Sequence, residues 1–376
     1  MRLFLLLIIF STTAFAQLDV GSNTTSDCLD IDFKTITPPP NNIFECKDVI
    51  ITNLSTSDFF DPTSPLVIKA TGSVTIGTIN FSGQPGIDDG NGLTATGGPA
   101  GLGGGDGGSF FFGGNDGLPA SHAGKTGSPS ICGAGQAEGS GGSGGSLETP
   151  GKAGYDGAFA DPGEMIGTAG APGPTITIDP TNFLFAGSGG GTGGKGCNPA
   201  DLVGGAGGGG GGGIQIISAG NVSITGTINV SGGNGGTAPN FSGGGGGGSG
   251  GVIIIQTLGQ ITINTLNAAP GTGGANSTIT NNGGDPDGDG GNGAPGKILL
   301  EDWDGTVTGN FDSTITEINR LGPIPKVNSL NSDISCGTLA KPNEEHHQVL
   351  QIAAGFMFAM MLGLIIKILS RFPMRS

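Results

Sequence analysis

Short segments along the chain alternate an apolar residue with Ser, Thr or Asn. The clearest copies span 72–83, 220–232 and 259–268, and a looser copy spans 175–183. A period of two predicts strands with one buried face, and the many β-branched residues favour the same structure. We therefore expect each of these segments to form a half-buried strand.

A second kind of segment is apolar without alternation and follows a run of glycines. Residues 214–218 and 252–256 are the two clear copies, and 297–301 begins a truncated closing copy. The first residues of the two clear copies, Ile214 and Val252, lie 38 residues apart. A fixed period of this length is typical of proteins that stack one structural repeat on the next.

Glycine is concentrated in one part of the chain. The 376 residues include 81 glycines and 23 prolines, and only five glycines lie outside residues 72–309. Two explanations are open: tight corners that need a positive φ, or polyproline II helices, which have three residues per turn and which glycine lets pack closely. Residues 187–194 suit the second explanation, and 86–172 is predicted to be loop or polyproline II, with partial disorder as the alternative.

The predicted fold class is mostly β. We expect a glycine-rich, stacked, β-solenoid-like body with polyproline II segments, plus one C-terminal transmembrane helix. Composition and pattern divide the exported part into a small N-terminal β module (17–70), an irregular glycine-rich body (71–204), a repeated body (205–320) and a juxtamembrane stalk (321–348).

The two ends of the chain predict an exported protein with one membrane anchor. Residues 1–16 combine a positive charge, a short apolar core and a small-residue cleavage site, as a secretory signal peptide does. Residues 349–369 form an apolar run long enough to cross a bilayer as a helix. The positive charges at its end place the tail, 370–376, in the cytoplasm. The predicted topology is therefore single-pass type I, with the body outside.

Small residues recur along one face of the predicted transmembrane helix, at Gly355, Ala359 and Gly363. A spacing of four lets two helices approach closely in lipid. The pattern predicts packing against a second copy or against a small partner membrane protein, and chance is the open alternative.

The five cysteines all precede the predicted anchor, where disulfides persist. The expected pairs are Cys28 with Cys46, which closes a local loop, and Cys132 with Cys197, which joins two parts of the glycine-rich body. Cys336 is then left for a bridge between molecules. No Cys-x-x-Cys spacing occurs, so we predict no zinc site.

One acidic cluster has the spacing of metal ligands. Asp285, Asp287 and Asp289 alternate with Pro and Gly, like the start of a calcium loop. The twelfth position is Gly296, which cannot supply the bidentate carboxylate. A solvated acidic turn is the favoured interpretation, a structural Ca²⁺ the alternative, and no other cofactor is predicted.

Charge and histidine placement weigh against two function classes. The formal net charge of −16 opposes binding to nucleic acid through its phosphates. The only arginine between the signal and the anchor is Arg320, and His122 lies in a loop without a nucleophile motif. A lyase on a stacked β fold needs a basic residue beside acids, so we predict that the protein is not an enzyme.

The order of parts resembles that of the attachment (adsorption) minor coat proteins of filamentous bacteriophages, which also combine a signal, exported binding modules, glycine-rich segments and a C-terminal span with a short basic tail. The repeats at 210–310 resemble glycine-rich β-solenoid repeats of exported bacterial proteins. The resemblance to the phage attachment proteins covers the order of parts, and it does not extend to any residue motif.

This resemblance implies an attachment or adhesion protein at a virion tip that binds a host-surface receptor or glycan. A cellular surface adhesin or structural surface protein is one alternative, and a polysaccharide-acting β-solenoid enzyme is another. Binding is expected in loops, in the N-terminal module, or at Phe110, Phe111 and Phe112, which are equally suited to filling a glycine-rich core.

Overall fold

The chain divides into two compact units, Met1–Pro323 and Ile324–Ser376, and the residues described here all belong to the first. A computed structural model describes the following residues: 18–30, 42–59, 62–88, 94–109, 117, 123–131, 137–157, 165–181, 186–197, 203–238, 241–276, 288–311 and 316–321.

Two six-stranded parallel sheets form the centre of the first unit. Sheet A has the strand order β1-β3-β5-β9-β11-β13, and sheet B has the order β2-β4-β8-β10-β12-β14. A short antiparallel pair, β6 with β7, lies outside both sheets. The strands are β1 Cys28–Leu29, β2 Ile43–Cys46, β3 Val49–Ser55, β4 Leu66–Ala70, β5 Val74–Asn80, β6 Ile87–Asp88, β7 Ala95–Thr96, β8 Gly213–Ser218, β9 Val222–Asn229, β10 Val252–Thr257, β11 Ile261–Asn267, β12 Lys297–Asp302, β13 Thr308–Phe311 and β14 Thr316–Arg320.

The two kinds of sequence segment correspond to the two sheets. Strands of sheet A alternate buried and exposed residues, as in β5 and β11. Strands β8 and β10 of sheet B are buried at every position. An antiparallel or solvent-facing sheet shows alternation, whereas a sheet covered on both faces reads as a continuous apolar run. The difference in pattern therefore records whether a sheet has one covered face or two.

The main hydrophobic core lies between the sheets, where the inward side chains of both meet. A second cluster covers the outer face of sheet B. There Leu147 and Ile178, from the glycine-rich part of the chain, pack against Val67, Val252 and Ile254. Residues 175–183 were expected to form a strand, and this prediction is wrong for the described part. Its residues are not in a sheet, and their apolar side chains instead cover one.

Strand pairing joins parts of the chain that the sequence had assigned to different domains. β4 pairs directly with β8, and β5 pairs directly with β9, although residues 81–212 lie between them. The first strands therefore belong to the same sheets as the later repeats. The predicted boundaries at residues 70 and 204 do not separate domains, and 81–212 is an insertion between neighbouring strands.

The glycine tracts bond to one another at intervals of three residues. The N–H groups of Gly187, Gly190 and Gly193 donate to the carbonyls of Gly211, Gly208 and Gly205, at N···O distances of 2.8–2.9 Å. The tract 203–212 in turn donates to 241–251 with the same interval. Three residues is the repeat of a polyproline II helix. The described tracts within 86–172 follow this pattern as well, for example at Gly124 and Gly127.

Close backbone packing explains why these residues are glycines. Only five described glycines have a positive φ, so corners account for few of them. The tract 203–212 is hydrogen-bonded to six neighbours: 81–86, 97–101, 103–108, 186–197, 230–238 and 241–251. A Cβ on Gly208 would lie 2.1 Å from the carbonyl oxygen of Gly233. Close packing, rather than tight corners, therefore accounts for most of the described glycines. We call this assembly of tracts, within 81–212, 230–251 and 268–296, the glycine bundle.

Tracts at the periphery of the glycine bundle need glycine only at every third position. Gly151, Gly154 and Gly157 are buried, while Lys152 and Tyr155 between them are exposed. The central tract 203–212, by contrast, is buried throughout. The spacing of glycines along a tract therefore reports how many sides of that tract are covered.

Serine hydroxyls complete the hydrogen bonding inside the glycine bundle. Ser140, Ser143 and Ser146 are fully buried at the same interval of three. Their Oγ atoms donate to the carbonyls of Thr168, Ala171 and Gly173, at 2.6, 2.7 and 2.7 Å. A buried hydroxyl without a partner is costly, so these bonds make serine compatible with the interior.

Candidate binding surface at the distal end of the glycine bundle

The tracts of the glycine bundle run alternately away from the sheets and back. The tract after β9, 230–238, leads away, and the tract before β10, 241–251, returns antiparallel to it. The chain therefore reverses direction at the end of the bundle farthest from the sheets, which we call the distal end. The outgoing and returning tracts that meet there are joined through residues 87–94, 131–136, 158–164, 198–202, 239–240 and 277–287, most of which lie outside the described part of the chain.

Large apolar side chains are exposed where the described chain enters or leaves these reversals. We call them the distal surface, and its members are Ile87, Ile131, Tyr155, Met165 and Ile166, with exposed fractions of 58, 62, 46, 59 and 42%. They account for half of the large hydrophobic residues that the structure describes as exposed. Single exposed apolar residues are ordinary, but several at one end of a fold indicate an interaction site.

Backbone pairing holds part of the distal surface in a defined arrangement. Ile131 and Met165 form an antiparallel bridge, with N···O distances of 3.1 and 3.4 Å. The bridge brings together two connections, because Ile131 begins the segment 131–136 and Met165 directly follows the segment 158–164. Ile166 is the next residue after Met165. Their positions depend on the rigid tracts that carry them, and a rigid scaffold favours a precise binding surface.

The cysteine beside this bridge is oxidised. Cys197 is disulfide-bonded, with a partner outside the described residues. The Oγ of Ser130, two residues before Cys132, lies 3.0 Å from the Sγ of Cys197. The pairing of Cys132 with Cys197 stays a prediction, and this proximity supports it. The predicted bond between Cys28 and Cys46 is confirmed, with a Cα–Cα distance of 5.7 Å.

Carboxylates near the distal end are engaged with protein groups. The Oδ1 of Asp156 accepts a hydrogen bond from the backbone of Ala169 at 2.6 Å. The Oδ1 of Asp289 accepts from the backbone of Asn276 at 2.7 Å. Glu138 is 2% exposed. These hydrogen bonds direct the Asp156 and Asp289 carboxylates towards backbone N–H groups of the glycine bundle.

Several predicted sites fall on residues that the structure does not describe. Phe110, Phe111 and Phe112 are among them; they directly follow Ser109, whose Oγ accepts a hydrogen bond from Gly97 beside β7. Asp285 and Asp287 of the acidic cluster are also outside the described residues, whereas Asp289 is inside. Among described residues, no group of three His, Cys, Asp or Glu side chains is placed to hold a metal ion.

The predicted signal peptide and transmembrane segment, with Gly355, Ala359 and Gly363, also lie outside the described residues. Within the part that is described, no helix has the length and apolar character needed to cross a bilayer.

The N-terminal segment, which the sequence offered as an alternative binding region, is attached to the sheets through charged hydrogen bonds. The backbone N–H of Ser22 donates to Glu45 at 3.1 Å, and this bond is the main reason that the pKa of Glu45 is lowered. The backbone of Ser73 likewise lowers the pKa of Asp48. Lys69 pairs with Asp19. The contacts of Ser22 and Asp19 join the segment to β2 and β4, and the contact of Asp48 joins the turn after β2 to the turn before β5.

An ion pair between Glu148 and Lys297 fixes the glycine-rich insertion to sheet B. The Nζ of Lys297, in β12, lies 2.9 Å from Oε1 of Glu148 and 3.3 Å from Oε1 of Glu317. Burial lowers the pKa of Lys297, but the hydrogen bonds and negative charges of Glu148 and Glu317 outweigh this, so the pKa is raised. The pair lies beside Leu147, where the insertion covers sheet B.

Sequence reasoning missed all five residues of the distal surface. A signal for three of them was present, because Tyr155, Met165 and Ile166 stand out as large side chains next to tracts with glycine at every third position. Comparisons with family models, curated proteins and solved structures found no match to this chain. The function proposed below is therefore inferred from the fold and the surface of this chain.

Proposed function

We propose that this protein is a membrane-anchored, non-enzymatic attachment protein that uses its distal surface to bind a receptor or glycan on a host cell. The observation that carries the proposal is the exposure of several large apolar side chains at one end of the glycine bundle, where a backbone bridge joins Ile131 to Met165. Loops on a rigid scaffold are the usual location of binding residues. An exposed apolar surface of this kind is suited to contact with a partner.

The fold suits a protein that displays a binding surface away from its stacked sheets. We interpret the body as a β-solenoid-like stack whose glycine tracts are polyproline II helices. Such tracts rise about 3.1 Å per residue, so a tract of ten residues extends the body by roughly 30 Å. The glycine bundle thus acts as a spacer between the stacked sheets and the distal surface.

The predicted signal peptide and C-terminal span place this body on the exported side of a membrane. In a phage-infected Gram-negative cell, an inner-membrane anchor holds the body in the periplasm until the virion leaves with it. We therefore favour a minor coat protein at a virion tip. A cellular surface adhesin shares the same topology and is the second candidate. Finding the chain in purified virus particles supports the first, and finding it only in cell envelopes supports the second.

The test uses charge substitutions at the distal surface of the full chain. Fluorescent beads coated with the wild-type protein are expected to adsorb to host cells, and Ile131→Glu combined with Met165→Glu is expected to reduce adsorption about tenfold or more, the range of a binding hot spot. Leu258→Glu is the matched control, because Leu258 is similarly exposed, at 43%, in the turn between β10 and β11.

Deletion of the first half of the body would be a poorer experiment. Removing residues 17–200 takes away β4 and β5, which pair with β8 and β9. Loss of adsorption would then reflect loss of the sheets. Equal adsorption by the distal double variant, Leu258→Glu and wild type, with unchanged thermal unfolding, would refute a binding role for the distal surface.

A further inference from the structure

The outward face of sheet A carries rows of short polar side chains in register. One row contains Thr75, Ser223, Thr262 and Thr308, each the registered neighbour of the next. A second row consists of Asn80, Asn229 and Asn267. We call these two rows the polar ladder. Because parallel strands lie about 4.8 Å apart, equivalent side chains repeat at that interval along the stack.

Charge is absent from the outward positions of the central strands of this face. The outward positions of β5, β9 and β11 hold only Thr, Ser, Asn and Gly, in a chain whose formal net charge is −16. Folding alone does not require this, because charged side chains are well tolerated at solvent-facing strand positions and help to prevent association of sheets. A row of neutral hydroxyl and amide groups on an exposed face therefore indicates the kind of ligand that binds there.

The side chains of the polar ladder are held in place before any ligand arrives. The Oδ1 atoms of Asn80, Asn229 and Asn267 accept hydrogen bonds from backbone N–H groups two residues later, at 3.3, 3.2 and 3.0 Å. Asn229 Nδ2 also donates to Asn80 Oδ1 at 3.3 Å. Threonine is restricted at χ1 by its branched Cβ. Binding to such a face costs little side-chain entropy.

The two sheets differ in what covers their outer faces. Sheet B is covered by Leu147 and Ile178. The outward threonines of sheet A, Thr75 and Thr262, are exposed, and in the described part of the chain no element packs over them. The polar character continues onto the adjoining layer of the glycine bundle. There Asn234 and Thr272 are exposed, and the Oδ1 of Asn234 accepts a hydrogen bond from the backbone of Thr272 at 2.9 Å.

We propose that the polar ladder binds an extended, neutral polysaccharide chain that lies across the strands, with about one sugar unit for each strand. The interval of about 4.8 Å between parallel strands is close to the length of one sugar in an extended β-linked chain. Sugar hydroxyls both donate and accept hydrogen bonds, as threonine hydroxyls and asparagine amides do. A neutral polymer suits a face without charge on a strongly acidic protein, which would repel an anionic one.

The polar ladder and the distal surface are separate, so this proposal does not depend on how the distal surface is used. The ladder lies on sheet A, whereas the distal surface lies at the far end of the glycine bundle. A variant at one place is expected to leave binding at the other unchanged. Failure of the two proposals is therefore distinguishable.

The test measures binding of the full chain, purified in mild detergent, to immobilised glucomannan, which is neutral and extended. Wild type is expected to bind glucomannan with little dependence on salt, and to bind neither dextran, which is coiled, nor alginate, which is anionic. Thr75→Glu combined with Thr262→Glu is expected to weaken binding about tenfold or more, because two exposed charges would lose their hydration against uncharged sugar hydroxyls when the polysaccharide binds.

The control adds the same charge elsewhere. Thr175→Glu with Ala153→Glu changes two exposed residues outside sheet A and is expected to bind like wild type. Circular dichroism and thermal unfolding check that both double variants fold. Ile131→Glu with Met165→Glu is expected to retain glucomannan binding.

Three outcomes would overturn the proposal. The first is no binding of glucomannan by wild type. The second is an equal loss of binding in the ladder variant and its control. The third is self-association of wild type that the ladder variant abolishes while glucomannan is not bound, which would assign the face to a second copy of the chain.

Discussion

The two sheets and the glycine bundle differ in what fills their interiors. Between the sheets, apolar side chains such as Ile216 and Ile224 fill the space and exclude water. In the glycine bundle, the central tract 203–212 is equally buried but has almost no side chains to fill anything. Backbones there approach so closely that they are themselves the packing units.

The energetic basis of the two interiors differs accordingly. Burial of apolar area contributes about 25 cal/mol per Å² in the sheets. In the glycine bundle the main contribution comes from satisfied backbone groups and close van der Waals contact, because an unpaired buried N–H or C=O is costly. Glycine loses more conformational entropy on folding than other residues. The bundle offsets this with hydrogen bonds from each central tract to several neighbours.

The largest expected effect comes from adding one methyl group to a buried glycine of the tract 230–238. Gly233→Ala would place its Cβ 1.9 Å from the carbonyl oxygen of Gln84, a rigid backbone atom. We expect the free energy of unfolding to fall by about 3 kcal/mol or more, at the upper end of overpacking effects. Chemical denaturation of the full chain measures this.

The same tract supplies the control for that substitution. Gly236→Ala places its Cβ no nearer than 3.1 Å to any atom, and is expected to cost about 1 kcal/mol or less. If the two alanine variants unfold at the same denaturant concentration, close packing is not what requires glycine in this tract.

A cavity between the sheets is the second test of the comparison. Ile216→Ala removes a fully buried side chain from the main core, and is expected to lower the free energy of unfolding by about 2–5 kcal/mol. Ile50→Ala is the control, because Ile50 is 52% exposed on the outer face of sheet A. Its expected cost is below about 0.5 kcal/mol. Similar losses for both would contradict the assignment of the core.

Hydrogen exchange of Ile216→Ala tests whether the sheets and the glycine bundle unfold together. Loosening of the sheets by Ile216→Ala is expected to raise exchange in β8 and β10 first. Amides of the glycine bundle should follow only if the two regions unfold as one unit. Protection of the bundle that persists after the sheets open would show that it is a separate cooperative unit.

The smallest expected effect concerns the ion pair that joins the two regions. The pKa of Lys297 is raised in the folded protein, so its contribution to stability is complete below the ordinary lysine value of 10.5 and is lost as the pH rises through the folded value. Melting temperature should therefore fall more steeply above about pH 10.5 in wild type than in Glu148→Gln. Parallel curves for the two proteins would show that the pair contributes nothing.

Much of the β structure was predictable because its signals are local. The alternating segments at 72–83 and 220–232 form β5 and β9, and the apolar runs at 214–218 and 252–256 form β8 and β10. Residues 175–183 alternate in the same way but cover sheet B from outside. Alternation reports that one side of a segment is buried, and it does not say whether that segment is hydrogen-bonded into a sheet.

The candidate binding surface was much less predictable. The sequence favours Phe110, Phe111 and Phe112 as binding residues, because aromatic residues are rare in the glycine-rich body. Ile131 and Met165 are ordinary residues 34 positions apart in sequence, and only their bridge brings them together. Which residues meet at the distal end depends on the direction and order of the tracts, and neither is recorded in the composition of a tract.

The sequence by itself determined the two kinds of strand in the repeats, alternating and continuously apolar, as well as the disulfide between Cys28 and Cys46 and the glycine content of the tracts. The tertiary structure alone decided that β4 and β5 pair with β8 and β9 across the insertion, and that glycine serves close packing. The physical reason is that periodicity and composition reflect the surroundings of single residues. Pairing across a long insertion depends on hydrogen bonds between backbones, which are alike in every residue.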